Sequence, residues 1–425
     1  MNTISALLAF QRKAIFNAVI LYDGKGVLMA LSRLIKNGVY AVGVVDWNKR
    51  CFHGHSYVTK RGVTYNSYLI VDEKITLIDT VCKDFEKELI DNIKTIVDPS
   101  KIDAIIINHI EPDHSGAFPE ILKICQNAKI YGTERARLGL LKYYGIVCDW
   151  NVVKSGQNLN IGKRTLEFID VPMIHWPDSM FTYSVYDKIL FSNDAFGQHY
   201  ATCNVFDDEV DFYTLMDEAQ KYYANILWPF SVLITSKLNA MDKLNLNIEL
   251  IAPSHGLVWR KHVYQIMQKY IYWSSHSCKN RIAIVYETMW NSTEKMAKKI
   301  VEGISSEGVE HVLFDVTKND RTNIASYMLD SKGWIFGSST YDGKMLPVIA
   351  GFLHFLKGSK AKGHESFAFG SYGWSGEAVK DIENTLVDVT LFGSSLRVVF
   401  NPTGEELEKC FEIGKAFALK IKDEK

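Results

Sequence analysis

Four groups able to bind a metal ion or a proton fall within six residues of the stretch Asn108-His109-Ile110-Glu111-Pro112-Asp113-His114-Ser115-Gly116. Imidazole together with carboxylate suits iron, manganese or zinc, and a shift from imidazole toward oxygen donors favours harder ions such as iron. The stretch follows Ala104-Ile105-Ile106-Ile107. Continuous rather than alternating hydrophobicity there predicts a buried strand. Pro112 and Gly116 are expected to stop regular structure, which leaves the four groups on a loop at a strand end. An extended loop would point His109, Glu111 and Asp113 to one side and His114 to the other. The plain alternative is a polar surface loop that solvates its own charges.

Three later segments weigh against that alternative. Pro172-Met173-Ile174-His175-Trp176-Pro177-Asp178-Ser179 follows the apolar Thr165–Val171 run. Ile189-Leu190-Phe191-Ser192-Asn193-Asp194 ends a second run on a carboxylate, and Ile251-Ala252-Pro253-Ser254-His255-Gly256 ends a third on an imidazole. A single histidine at a strand end is more often a satisfied polar residue than a ligand. Four strand ends that each deliver His or Asp just before a breaker can converge on one pocket.

The pattern His-x-Glu-x-Asp-His followed by His175, Asp194 and His255 resembles the iron-binding pattern of flavodiiron proteins, whose first domain is similar to the metallo-β-lactamase fold. Hydrolases of that fold usually carry His in place of Glu111 and bind zinc. The resemblance implies that His109, Glu111 and His175 hold one iron, that Asp113 and His255 hold the other, and that Asp194 bridges the two. It places His114 beside the site, as a ligand or as a catalytic neighbour. Arg50-Cys51-Phe52-His53-Gly54-His55 resembles a pocket-lining stretch of the family, with His55 where Tyr is usual, and Tyr222 matches a pocket tyrosine. His53 and Tyr222 are therefore expected to act near bound gas, although Tyr222 reads equally well as a buried helix tyrosine.

The elements that must position these groups are readable in outline. Val39–Val45 reads as a strand, and Thr64–Val71 and Ile75–Asp79 read as a hairpin about Asp72-Glu73-Lys74. Phe85–Val97 has apolar residues at helical spacing. Strands that then alternate with helices predict an αββα sandwich, with helices outside two sheets. The polar break Ser274–Asn280 divides the chain into residues 37–278, the metal-binding domain, and residues 279–425.

The second part opens with the buried strand Arg281–Tyr286, the hydroxyl-rich Thr288-Met289-Trp290-Asn291-Ser292-Thr293 and a helix from Glu294. Strand, polar turn and helix N-terminus form a phosphate cradle. The lysine of a nucleoside-triphosphate loop is absent, so a phosphate monoester is favoured. Two further strand-end loops follow, Ser339-Thr340-Tyr341-Asp342-Gly343 and Ser371-Tyr372-Gly373-Trp374-Ser375-Gly376. The repeat predicts a doubly wound parallel sheet that binds its ligand beyond the carboxyl ends of the strands. Tyr341 and Trp374 offer aromatic faces to a flavin. These residues resemble short-chain flavodoxin, which implies FMN. Asn291 stands where Gly is usual, and Ser339 where Pro is usual.

The whole resemblance spans about residues 38–425. It implies an oxidoreductase that reduces dioxygen to water, nitric oxide to nitrous oxide, or both, at a non-haem diiron site fed by FMN. It also implies a head-to-tail homodimer or a dimer of dimers, in which the FMN of one subunit faces the iron pair of the other. The alternative is a zinc hydrolase joined to an electron-transfer flavodoxin.

Composition limits the rest. A net charge of −1 with no basic block argues against nucleic acid or a membrane surface as partner. Seven scattered cysteines without Cys-x-x-Cys leave no rubredoxin-type or iron–sulfur site, so the electron donor is expected to be a separate rubredoxin-like protein or reductase. No apolar run approaches the roughly 18 residues of a membrane helix, and the expected location is the cytoplasm. Residues 1–36 carry Arg12, Lys13, Lys25, Arg33 and Lys36 against Asp23 alone. They read as a helix packed on the body or as an organelle-targeting segment, and the helix is the expectation.

Overall fold

The computed structural model describes residues 32–386 and 389–423, together with the backbone of two short strands, Ile20–Tyr22 and Val27–Met29. Those two strands pair antiparallel, and Arg33–Lys36 is a further strand. In these three segments of residues 1–36 the structure has strand where a helix is expected. The rest of that expectation lies outside the described residues.

The chain divides into two compact units. The first holds residues 1–50, 59–218 and 241–266. It contains a seven-stranded sheet in the order Trp150–Val152, Lys129–Gly132, Ala104–Ile107, Thr76–Ile78, Tyr68–Ile70, Val39–Ala41, Arg33–Lys36. The first four strands run parallel, and the rest pair antiparallel. Parallel neighbours need a crossover, and helices Glu86–Lys94, Phe118–Ile124 and Glu134–Tyr144 lie in those connections. A five-stranded sheet runs Asn158–Asn160, Thr165–Asp170, Met180–Ser184, Ile189–Asn193, Leu250–Pro253. Tyr68, Ile70, Ile78 and Ile106 of the first sheet meet Leu166, Phe168, Phe191 and Ala252 of the second in one core. This is the expected sandwich. The hairpin is present but shorter than expected, with Leu77 opposite Leu69 and Ile78 opposite Tyr68.

The second unit holds residues 51–58, 219–240 and 267–425. Its sheet is wholly parallel, ordered Glu310–Asp315, Lys279–Glu287, Ser331–Ser338, Glu365–Tyr372, with Thr390–Leu391 and Leu396–Val399 both pairing to the last of these. In chain order this is 2-1-3-4-5, the doubly wound arrangement whose direction reverses between the first and third strands. Helices Ser292–Ser306 and Gly404–Asp423 cross where a Cβ on Gly414 would lie 2.3 Å from the carbonyl oxygen of Ile300. No described helix is long and apolar enough to cross a membrane.

Candidate metal centre and flavin cleft

The strand Ala104–Ile107 is buried along its whole length, and its end is fixed before any ligand appears. Asp79 accepts from the Asn108 amide at 2.7 Å and from Asn108 Nδ2 at 3.1 Å, while Thr182 Oγ1 donates to Asn108 Oδ1 at 2.7 Å. His109 and Glu111 follow. Pro112 does not end regular structure, as expected from the sequence, but opens the one-turn helix Pro112–Ser115. Its fixed φ suits the first helical position, where no N–H is needed. That turn changes the direction of the side chains. His114 is therefore not set apart from its neighbours: its Nε2 lies 3.3 Å from Asp113 Oδ2 and 3.1 Å from Asp194 Oδ1.

Two sets of ligand atoms result. One comprises His109, Glu111, His175 and Asp194, and the other Asp113, His114 and His255. His175 Nε2 stands 3.2 Å from both Glu111 Oε2 and Asp194 Oδ2, and His109 Nε2 is 3.5 Å from each of the same two oxygens. His255 Nε2 lies 3.1 Å from Asp113 Oδ2 and 3.5 Å from Asp194 Oδ1. Asp194 thus gives one oxygen to each set. Metal bonds of about 2.0–2.2 Å at right angles put neighbouring donors about 3 Å apart, close to these separations. His109 Nε2 and Asp113 Oδ1 are buried without a hydrogen-bond partner among the described residues. Glu111, Asp113, Asp194 and the adjacent Asp178 crowd four carboxylates into this pocket. Buried charge of one sign demands compensation, which two divalent cations supply. The donor set therefore fits a pair of hard divalent metal ions.

Electrostatics point the same way. Burial disfavours charge on His109, but Asp178, Glu111 and Asp194 outweigh it and raise its pKa well above the usual imidazole value. For His114, Asp113 and Asp194 overcome burial and lift it to about 9. Burial alone would raise Asp194, yet His114 and His175 hold it well below the usual carboxylate range. The pocket is built to hold positive charge against its acids.

Sequence reasoning missed the groups behind the ligands. His109 Nδ1 donates to Asp178 Oδ2 at 2.9 Å, and His255 Nδ1 donates to the carbonyl of Thr64 at 2.6 Å. Asp178 lies in a segment already singled out, but its partner is 69 residues away. His53 and Tyr222 belong to the second unit, and neither is among the converging ligand groups. His53 is exposed on the Cys51–Val58 hairpin, and Tyr222 is buried with its ring 6.5 Å from that of Tyr57.

In the second unit a cleft of about 600 Å³ opens at the carboxyl ends of the strands. Met289, Trp290, Ser292, Ser339, Thr340, Tyr341, Asp342, Ser371, Tyr372, Gly373 and Trp374 line it, all expected from the sequence. Asn291 takes the left-handed conformation at φ 66° ahead of helix Ser292–Ser306. Thr293 Oγ1 is hydrogen-bonded to Ser339 Oγ and Ser371 Oγ, each at 2.9 Å, and so ties three loops together. The buried Thr288 hydroxyl has no hydrogen-bond partner among the described residues, which leaves it open to a phosphate. Trp290 and Trp374 are 86% and 77% exposed. Large aromatic faces left open on a cleft fit a planar ring. Gly343 shapes the Tyr341–Lys344 turn at φ 70°. Ser375 Oγ donates to Glu377 Oε2 at 2.8 Å, and Gly376 stands at the start of helix Glu377–Thr385 with φ 71°. Phe400 and Asn401 also line the cleft. They follow strand Leu396–Val399 at the same sheet edge, a fourth strand end that the sequence reading did not use.

A β-lactamase-like sandwich with paired metal sets, joined in one chain to a flavodoxin-type sheet with an aromatic cleft, defines a class of metalloflavoprotein. The model of the ODP family beta lactamase matches residues 63–256, and that of flavodoxin matches residues 284–414. The chain is 46% identical over 393 residues to a nitric oxide reductase of Moorella thermoacetica, covering 92% of this chain and 98% of that one. It is 42% identical over 390 residues to an anaerobic nitric oxide reductase flavorubredoxin of Aeromonas hydrophila, covering 90% and 79%. Among solved structures it is similar to rubredoxin oxygen:oxidoreductase from Desulfovibrio gigas, with TM-score 0.90, 34% identity and coverage of 92% and 98%. It is also similar to the flavodiiron protein from Giardia intestinalis, with TM-score 0.89, 37% identity and coverage of 92% and 96%. The chain belongs to the flavodiiron proteins, oxidoreductases whose cofactors are FMN and a non-haem iron pair.

Proposed function

We propose that this protein reduces dioxygen to two waters with four electrons and four protons, or two nitric oxide molecules to nitrous oxide and water with two electrons and two protons. The observation that carries the reading is Asp194, whose Oδ2 faces His109 and His175 while its Oδ1 faces His114 and His255. One carboxylate set between two ligand groups suits a pair of metal ions. His109, Glu111 and His175 would hold one iron, and Asp113, His114 and His255 would hold the other. When bound, the iron pair supplies electrons and open coordination positions for a diatomic gas, and FMN in the cleft supplies electrons two at a time. The protein's own residues position and neutralise. Asp178 and the Thr64 carbonyl fix the two imidazoles they touch, and the buried carboxylates balance the metal charge. Glu111 in place of a third imidazole on its metal favours iron over the zinc of related hydrolases.

The electron donor is a separate rubredoxin-like protein or reductase, and the working form is a head-to-tail homodimer. The relatives named above as nitric oxide reductases make nitric oxide the first gas to test. Purified protein, with iron and flavin quantified, is reduced anaerobically and given dioxygen or nitric oxide in parallel. Consumption of at least one gas, dependent on bound iron, is expected. Zinc in the site with ester or lactam hydrolysis and no gas uptake would overturn the reading.

A further inference from the structure

The two ligand sets are equal in number and kind. His109, His175, Glu111 and Asp194 Oδ2 offer two nitrogens and two carboxylates, and so do His114, His255, Asp113 and Asp194 Oδ1. One difference lies one bond further out. Behind His109 stands an anion: Asp178 Oδ2 accepts from His109 Nδ1 at 2.9 Å and from the Ile110 amide at 2.9 Å. Behind His255 stands a neutral group, the Thr64 carbonyl at 2.6 Å. His114 Nδ1 is buried with no hydrogen-bond partner among the described residues.

Asp178 is well placed to matter. It is 2% exposed, and its Oδ1 has no hydrogen-bond partner among the described residues, so its charge is not spent elsewhere. Thr133 Oγ1, at the start of helix Glu134–Tyr144, donates to its backbone carbonyl at 3.0 Å and anchors it. A carboxylate that accepts the far N–H of a metal-bound imidazole makes the metal-facing nitrogen a stronger donor, and a neutral carbonyl does so less. Charge-assisted hydrogen bonds are roughly twice as strong as neutral ones.

We infer that Asp178 makes the position built from His109, Glu111 and His175 the tighter of the two iron sites, so that the pair fills and empties in a fixed order. Asp178 is a positioning residue: it acts through His109 and touches neither metal nor gas. The inference rests on the iron-pair reading above.

The test uses the full-length protein with FMN and ferrous iron bound, under anaerobic conditions. A ferrous chelator is added, and iron release is followed by the colour of the complex. The wild type is expected to give up two equivalents in two phases. Asp178→Asn keeps the shape and an oxygen acceptor but removes the charge. It is expected to weaken the tighter equivalent by about 10–100-fold, merging the phases, while FMN content and the looser equivalent stay unchanged. Biphasic release that persists unaltered in Asp178→Asn overturns the inference and leaves the iron-pair reading standing. Single-phase release from the wild type overturns it without recourse to any variant. A wild type that never holds two irons brings down the reading of the site itself.

Discussion

The imidazole of His364 lies flat on the indole of Trp334, with ring centroids 3.7 Å apart and planes 20° from parallel. Burial pushes the His364 pKa down to about 3, opposed by its hydrogen bond to the Ser331 carbonyl at 2.9 Å and aided by His276. The folded value lies below the unfolded one of about 6.5. Between these values the unfolded chain binds a proton that the folded chain refuses, so stability is present above pH 6.5 and is lost as pH falls toward 3. The folding equilibrium constant of the second unit should fall by up to about tenfold per pH unit across this window. His364→Phe keeps the stack and should flatten the dependence while lowering stability at neutral pH. Urea titrations at pH 7 and pH 5, read by tryptophan fluorescence, check this. Equal losses on acidification in both proteins would remove His364 as the cause.

In the first unit, Arg164 draws three turns together. Its Nε donates to Asp187 Oδ2 at 2.7 Å, its Nη1 to Asp72 Oδ2 at 2.9 Å, and its Nη2 to the Asn37 carbonyl at 2.5 Å. All three ionic side chains are at most 6% exposed. Asp72 follows a strand of one sheet and Asp187 joins two strands of the other, so the guanidinium pins the sheets at one end. Removing one partner of a buried ion pair strands the others, at a cost of about 3–5 kcal/mol. Arg164→Ala should lower the thermal midpoint of the first unit by several degrees without loss of FMN. A change of a degree or less in calorimetry would count against this account.

The helix crossing in the second unit gives a steric prediction. A Cβ on Gly303 would approach the Phe411 carbonyl to 2.0 Å, and one on Gly414 would approach that of Ile300 to 2.3 Å. Both obstacles are backbone, so neither can rotate away. Gly414→Ala gains helix propensity of about 1 kcal/mol, yet overpacking typically costs about 1–3 kcal/mol. Net destabilisation is expected by chemical denaturation. An alanine that stabilised the protein would show that the helices separate freely.

What the sequence revealed followed the range of the forces involved. Glu111, Asp113 and Asp194 were legible because a buried strand, a ligand-type residue and a breaker are neighbours in the chain. Trp290, Tyr341 and Trp374 were legible for the same reason at the edge of the parallel sheet. The extended-loop geometry that separates His114 from His109, Glu111 and Asp113 does not hold, because one helical turn takes its place. Asp178 and Thr64 were invisible as partners because their bonds to His109 and His255 span 69 and 191 residues. The Gly303–Gly414 crossing was hidden likewise, since either glycine alone reads as a weak helix residue.

The two cofactor sites use no residue in common, so each should be removable without the other. Asp194→Ala takes an oxygen from both ligand sets and should abolish binding of both irons. Glu111→Ala removes an oxygen from one set only, so at least one equivalent should weaken while Asp113, His114 and His255 remain. Both variants should lose gas reduction and keep FMN, because the flavin cleft is untouched. Trp374→Ala does the converse: an exposed ring leaves the cleft, with about 1–3 kcal/mol of stacking expected to go with it. Iron content should then stay at the wild-type value while FMN dissociates on dilution. Iron and flavin counted on the same samples check all three. Loss of FMN from Asp194→Ala, or of iron from Trp374→Ala, would mean that the two sites depend on one another.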